Sequence, residues 1–377
     1  MNTTKNKEYF MNNIKKIGLT ALAGSLVALG SAQAGEMSVT GGVNVTLKMG
    51  KAGTGTTAPG ANNTSRSIGA DRDVTFTGGG ELDNGTTFSM STTLDDDYAI
   101  SGSTTTITTP SLGSFQFGAS TGSAAGYFDE EVPQVYEQAS DGIETPANKI
   151  GDFMDNNHVM YTSPTLEMMG ATMTLRAGYA PQAGDTSVND GGQQTYSQTY
   201  GAGQELGLTI GYEGLTLGFY GAERELRKPV IADVDSTRDE FNGAWYAKYS
   251  MGPISIGYSE TYLDAGVTRA IDTVDAVKTR RTAGGIYEDE QMSIAFNVNE
   301  NMSISYTVAD STYDSQDDAK TAATTDDDIT QEIDSLQVAY SMGGMSIKAY
   351  NMEVTNPAHD DNAADQSVTE IALGFAF

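Results

Sequence analysis

Apolar and polar residues alternate with a period of two along most of the chain after residue 35. In the first run Met37, Val39, Val43, Val45 and Leu47 alternate with Ser38, Thr40, Asn44, Thr46 and Lys48, which spells a strand with one greasy and one wet face. Val74 and Phe76 alternate with Thr75 and Thr77; after a reversal at Asp83-Asn84-Gly85, Phe88, Met90 and Leu94 alternate with Ser89, Ser91 and Thr93. Later runs repeat more plainly: residues 173–179 after Gly170, 215–220 after Glu213-Gly214, 254–258 after Gly252-Pro253, 302–306 after Asn299-Glu300-Asn301, and 345–350 after Gly343-Gly344. A spacing of about 40–48 residues makes each repeat one hairpin.

The connections sort into two classes. Tight turns are expected near residues 84, 111, 167, 214, 252, 300 and 343. Between them fall longer connections around residues 49–70, 95–98, 122–156, 182–202, 225–239, 264–285, 314–331 and 356–366, most of them rich in Gly, Asp, Thr, Asn and Ala. These connections join sixteen strands, with short turns on one side and loops on the other. An all-β, sixteen-stranded antiparallel transmembrane barrel has this asymmetry, because lipid cannot hydrogen-bond a sheet edge and the sheet must close. The expected outer face includes Leu206, Leu208, Ile210 and Tyr212, then Phe241, Trp245, Ala247 and Tyr249, then Met292, Ile294, Phe296 and Val298, then Leu336, Val338 and Tyr340. Arg72 and Glu260 are its two charged exceptions, expected near the loop-side rim. Tyr161, Tyr212, Tyr249, Tyr340 and Phe377 at one set of strand ends, and Tyr98, Tyr179 and Tyr262 at the other, read as two aromatic girdles.

The N-terminus reads as a leader. Lys15 and Lys16 precede an apolar run over residues 17–29, and Ala32-Gln33-Ala34 supplies small residues for a cleavage site between Ala34 and Gly35. Residues 1–34 are then a signal peptide, and 35–377 the exported barrel. At the other end Ile371, Leu373, Phe375 and Phe377 alternate with Ala372, Gly374 and Ala376. This resembles the signal by which the outer-membrane barrel assembly machinery recognises its clients.

Composition narrows the chemistry. With no cysteine, disulfides and thiol catalysis are excluded. A net charge of -29, about -32 once the leader is removed, is hostile to nucleic acid. The acid runs Asp95-Asp96-Asp97 and Asp326-Asp327-Asp328 could bind Ca²⁺ weakly, although a solvated loop explains them as well; no other cofactor is expected. His158 and His359 are read as polar groups at a wet rim.

The connection over 122–156 stands apart. It carries Asp129, Glu130, Glu131, Glu137 and Asp141 among Tyr127, Phe128, Val132, Val135 and Tyr136, too apolar for an idle surface loop. Its length without clear periodicity points to function. It is read as folding inward to narrow a water-filled pore. Strand parity makes Lys48, Arg176, Arg224, Lys248 and Lys348 the cations facing the lumen, with Arg66 joining them from its loop.

The chain resembles the sixteen-stranded general diffusion porins of Gram-negative bacteria, the alphaproteobacterial group especially. The resemblance rests on the opening strand Glu36-Met37-Ser38-Val39-Thr40-Gly41, the run Ser65-Arg66-Ser67, the acidic-aromatic segment 127–136 and the closing strand, and it spans residues 35–377. It implies an integral outer-membrane protein among lipid and lipopolysaccharide, a homotrimer with one pore per subunit, and passage of small hydrophilic solutes and ions. It also implies an acidic third loop facing basic residues across the pore; the basic cluster here is meagre. Acids outnumber bases, so weak cation selectivity is expected. Three alternatives stand beside it: a channel specific for a sugar, anion or organic acid, a barrel enzyme, and a soluble acidic β-rich surface protein. Only Tyr220, Tyr246 and Tyr350 point inward as a sugar lane would require. No Gly-x-Ser-x-Gly supports catalysis, and a soluble protein would not explain the sorted loops. The leader reading predicts that the exported protein begins at Gly35, which N-terminal sequencing of the membrane fraction checks.

Overall fold

The computed structural model describes residues 36–53, 62–96, 99–129, 131–139, 150, 154, 157–184, 200–227, 234–269, 285–314, 328–359 and 363–377. The leader expected over 1–34, with Ala34 and Gly35, lies outside them, as do Tyr98, Glu130 and Asp141. The strands are β1 (Glu36–Gly53), β2 (Asn62–Glu81), β3 (Thr87–Leu94), β4 (Ile100–Thr109), β5 (Gly113–Ala119), β6 (His158–Thr162 with Leu166–Met168), β7 (Ala171–Ala180) and β8 (Tyr200–Tyr212). They continue as β9 (Leu215–Leu226), β10 (Glu240–Met251), β11 (Ile254–Asp264), β12 (Ile286–Asn297), β13 (Met302–Asp314), β14 (Ile329–Met342), β15 (Met345–Thr355) and β16 (Gln366–Ala376). Each pairs antiparallel with the next, and β16 returns to β1 from Gly42↔Ala376 to Lys51↔Ser367. The sheet is a closed sixteen-stranded barrel.

β6 is interrupted. Both of its pieces pair with β7, and Ser163-Pro164-Thr165 bulges between them because Pro164 has no N–H for the ladder. Ser163 mends the gap: its N–H donates to the Leu175 carbonyl at 2.9 Å and its hydroxyl accepts from the Leu175 N–H at 2.9 Å. The turn expected near 167 therefore falls at Met169-Gly170, where φ is 53° and 86°. The first hairpin is also longer than its alternation suggests. Residues 49–70, expected as a loop, are largely ladder, with pairs from Met49↔Arg66 to Gly53↔Asn62. Met49-Gly50-Lys51-Ala52-Gly53 and Asn62-Asn63-Thr64-Ser65-Arg66 spell no apolar alternation, so this backbone ladder carries no period-two signal. Within two expected loops, Val234–Thr237 pairs with Val267–Arg269 as a small separate sheet.

The outward face is apolar through the middle of the wall: Leu206, Phe241, Met292, Ile294 and Leu336 are all exposed. Tyr212, Tyr249, Tyr340 and Phe377 are exposed at the turn side, and Tyr179 at the loop side. Charged exceptions are more numerous than Arg72 and Glu260. Alternation also turns Glu288, Glu290, Asp310, Glu332, Asp334 and Glu353 outward, and they follow one another across the ladder through Glu260↔Glu290, Glu290↔Asp310, Asp310↔Glu332 and Asp334↔Glu353. Glu260 accepts from Trp245 Nε1 at 2.8 Å and from the Tyr258 hydroxyl at 2.6 Å. About 9–11 residues span the hydrocarbon, whereas β11 to β14 run from 11 to 14 residues. The carboxylate rows occupy the surplus and mark where hydrocarbon ends.

The seam closes on the last residue. Gly41 N–H donates to the Phe377 carbonyl, and Phe377 N–H to the Gly41 carbonyl, each at 2.9 Å. A Cβ on Gly41 would sit 2.8 Å from the Asp73 carbonyl oxygen and 2.9 Å from Phe377 Cζ, so only glycine fits. Gly41→Val is expected to cost about 1–3 kcal/mol through overpacking, seen as a smaller fraction of heat-modifiable folded barrel on gels run without boiling.

Candidate functional site

Ser120 and Gly122, with φ of 59° and 88°, turn the chain inward off the end of β5. The Gly122 carbonyl is held from two sides, by Gln116 Nε2 at 2.6 Å and His158 Nε2 at 3.1 Å. His158 is buried, so it is a tether for the loop's root and not a group at a wet rim. Ala124 N–H then donates to Glu205 Oε1 at 2.9 Å, and a single 3-10 turn over Ala125–Tyr127 drives Phe128 into the wall.

Phe128 is 1% exposed. Its ring stacks on Tyr220 at 5.4 Å and meets Tyr246 at 6.2 Å, in a slot that exists because a Cβ at Gly207 would occupy the ring's edge. Pro133 lies in a second slot over Gly257. From there polar wall residues serve the loop backbone in turn. Ser293 Oγ donates to the Pro133 carbonyl at 2.6 Å, Ser305 Oγ accepts from Val135 N–H at 3.2 Å, and Gln337 Oε1 accepts from Tyr136 N–H at 2.9 Å while its Nε2 donates to the Glu137 carbonyl at 2.6 Å. Tyr136 hydroxyl donates to Glu370 Oε1 at 2.6 Å. Burial, and then the Glu370 carboxylate, push this phenol far above its ordinary range. Ala139 ends the described path among Ala309, Ile333 and Val354.

The third loop thus runs inside the barrel along successive strands from β8 to β16. Across the lumen from that described path stands the inner face of β1 to β5. It is a hydroxyl wall, with Thr75 and Thr93 bonded at 2.9 Å, Thr77, Ser91 and Thr104 in the next inward row, and Ser89 and Thr106 in the one after. Two carboxylates stand on it, Asp71 and Asp73, which the ladder pairs with Asn44 and Gly42. Both are missing from the expected site, although Asp71-x-Asp73-x-Thr75-x-Thr77 extends the alternation backwards by two steps.

The expected cations are not gathered on a wall opposite the loop. Arg176, Arg224, Lys248 and Lys348 rise from β7, β9, β10 and β15, beside or beneath it. Lys248 pairs with Glu131. The Arg176 guanidinium lies 3.7 Å from the centre of the Tyr127 ring and donates to Thr209 Oγ1 at 3.3 Å. Arg224 Nε donates to Glu240 Oε2 at 2.6 Å, and its guanidinium covers the Tyr200 ring at 3.6 Å. Lys348 Nζ is 4.9 Å from the centre of the Tyr136 ring. Lys48 faces the lumen from β1, paired across the seam with Glu370. Arg66 does not join them: it shares a row with Met49 and a face with Ile68, which is 79% exposed, so strand parity turns it outward. Asp129 is half-buried just beyond the 3-10 turn and Glu137 half-buried beside the Gln337 clamp.

Tyr220, Tyr246 and Tyr350 do point inward, but they are 7%, 2% and 3% exposed because Phe128 and Tyr136 cover them. They make a floor for the loop and offer no lane to a passing sugar. Among the described residues no group of three His, Asp or Glu is arranged to hold a metal ion. Asp95 accepts from Ala99 N–H and Asp96 from Arg72 N–H, while Asp97, Asp326 and Asp327 lie outside the described residues.

The family model of Gram-negative porins matches residues 18–276. No curated relative matches the chain. Among solved structures, the chain is similar to an anion-selective porin from Comamonas acidovorans, with 10% identity, a TM-score of 0.61, and coverage of 91% of this chain and 100% of that one. It is similar to the trimer form of in-vitro folded OmpT, an outer membrane protein of Vibrio cholerae (13% identity, TM-score 0.56, 92% and 100%), and to a mutant Rh. blastica porin (12%, 0.51, 91% and 100%). At these identities the likeness is one of fold.

Phe128→Ala is expected to remove about 3–5 kcal/mol of buried aromatic packing while leaving the ladder intact. Limited proteolysis of folded protein should then cut between residues 129 and 139, where the parent resists.

Proposed function

The chain belongs to the Gram-negative porin family, and on that premise we propose that it is a general diffusion channel with weak cation selectivity. It is an integral outer-membrane protein whose closed barrel carries a water-filled path. Rings of charge set ion preference in such a path. One observation carries the reading of sign: the carboxylates on the hydroxyl wall, Asp71 and Asp73, face Asn44 and Gly42 in the ladder, whereas the loop's Glu131 is offset by Lys248. Passing ions therefore meet net negative charge from the wall more than from the loop. Asp129, Glu130, Glu137 and Asp141 add to it on this reading, and Lys48, Arg176, Arg224 and Lys348 soften it. Solutes move between the third loop and the hydroxyl wall, which offers hydrogen bonds and no aromatic platform, so small hydrophilic molecules are sorted mainly by size. A homotrimer fits the trimer form of the Vibrio protein, with Ile371, Leu373, Phe375 and Phe377 as the strand the assembly machinery would engage. No step here asks for a catalytic group or cofactor, and the reading is of a channel and not an enzyme.

Reversal potentials across a KCl gradient in planar bilayers test the sign. Potassium is expected to be preferred over chloride by a few-fold. Asp71→Asn with Asp73→Asn should bring that ratio close to one, while Glu131→Gln shifts it less. A preference for chloride in the parent would refute the proposal.

A further inference from the structure

After β15 the chain turns inward, and residues 356–359 pack on the lumen side of the wall. Asn356, Ala358 and His359 have φ of 49°, 63° and 56°, three residues with side chains in a left-handed conformation within four positions. Each costs on the order of 1 kcal/mol or more and persists only where the surroundings over-determine it. Here they do. Asn356 Nδ2 donates to the Thr330 carbonyl at 2.9 Å, Ala358 N–H donates to Gln331 Oε1 at 2.8 Å, and His359 N–H donates to the Asn356 carbonyl at 3.0 Å. The His359 ring enters between Tyr287, edge-on at 5.4 Å, and Tyr313 at 5.8 Å, with Nε2 2.9 Å from Ser311 Oγ. His359 is 4% exposed, which overturns its expected place at a wet rim.

Ser311, Gln331, Tyr287 and Tyr313 all belong to lumen-facing rows, paired as Tyr287↔Tyr313 and Ser311↔Gln331. The hook formed by residues 356–359 therefore reaches from β15 over β14 and β13 to β12 on the inside of the barrel. One step nearer the turns, the same wall carries Ala309, Ile333 and Val354, the cradle of Ala139 in the third loop. Two inward segments are stacked on one wall, the hook on the mouth side and the third loop beneath it.

We propose that residues 356–359 form a second constriction at the loop-side mouth, with His359 as the positioning residue that latches it and so limits the size of solute reaching the third loop. This rests on the channel reading above. The ring fills an aromatic slot and satisfies the buried Ser311 hydroxyl, and a buried polar group left unmatched is costly. Removing the ring takes away the aromatic packing and the Ser311 bond, and leaves the strained turn held by the Gln331 and Thr330 contacts of Ala358 and Asn356.

Liposome swelling with a mono-, di- and trisaccharide series tests it. His359→Ala is expected to raise the trisaccharide rate relative to the monosaccharide rate by roughly threefold or more, with the folded fraction on gels unchanged, and His359→Gln to restore part of the cut-off by keeping a hydrogen bond to Ser311. An unaltered size series in folded His359→Ala overturns the proposal. A second variant does not depend on truncation. The chain has no cysteine, so Ala358→Cys with Gln331→Cys should cross-link on oxidation and keep the parent size cut-off; failure to cross-link in folded protein also overturns the hook. If the parent itself passes no sugar and no ion, the channel reading falls and the hook with it, a result distinct from a parent that sieves and a variant that sieves identically.

Discussion

A sheet in hydrocarbon cannot leave a hydrogen bond unmade. That constraint governs this molecule more than any side chain. Pairing from Gly42↔Ala376 to Lys51↔Ser367 converts a twisted ribbon into a cylinder with no edge, and everything else is written on its two faces. The outside can be apolar because the backbone asks nothing of the lipid. The inside can be wet, and can carry Ser, Gln and Glu in every row, because those groups have water or a second layer of chain to meet. The interior layer is the third loop, whose backbone is satisfied by Ser293, Ser305 and Gln337. In a soluble sandwich those same buried polar groups would be liabilities; here they are the sockets into which a long connection is plugged.

Strand number, loop sorting and the closing strand were legible because each is an alternation, and alternation survives without knowledge of neighbours. What failed was alternation's boundary. The ladder from Met49↔Arg66 to Gly53↔Asn62 is written in Gly, Ala, Lys, Asn, Thr and Ser without alternation, so its residues look like loop. The outward carboxylates from Glu260 to Glu353 fail in the opposite sense: they keep perfect parity, and only the ladder shows that they line up across strands and so record the end of the hydrocarbon. The break in β6 turns on Pro164, whose missing donor moves the expected turn by a few residues.

The site was legible in content and not in arrangement. A long acidic-aromatic connection announces an inward loop. Nothing in its spelling says that Glu131 will meet Lys248, 117 positions away, or that Phe128 needs the absent side chain of Gly207. Parity turns Arg176, Arg224, Lys248 and Lys348 to the lumen, but parity cannot tell which side of a cylinder a strand occupies. They share a side with the loop, and several are engaged there by Glu131, Glu240 and tyrosine rings. Arg66 reads as a loop residue but stands in a strand opposite Met49, where one register step decides inward from outward.

The third loop's contacts carry a consequence for the order in which the molecule is made. Its tethers span 81 positions to Glu205, 160 to Ser293, 200 to Gln337 and 234 to Glu370. A chain synthesised from its N-terminus has the loop in hand long before most of those partners exist, and distant pairings must repay the entropy of closing the intervening segment. The narrowing is thus expected among the later features to form, since its last tether joins residues 234 positions apart.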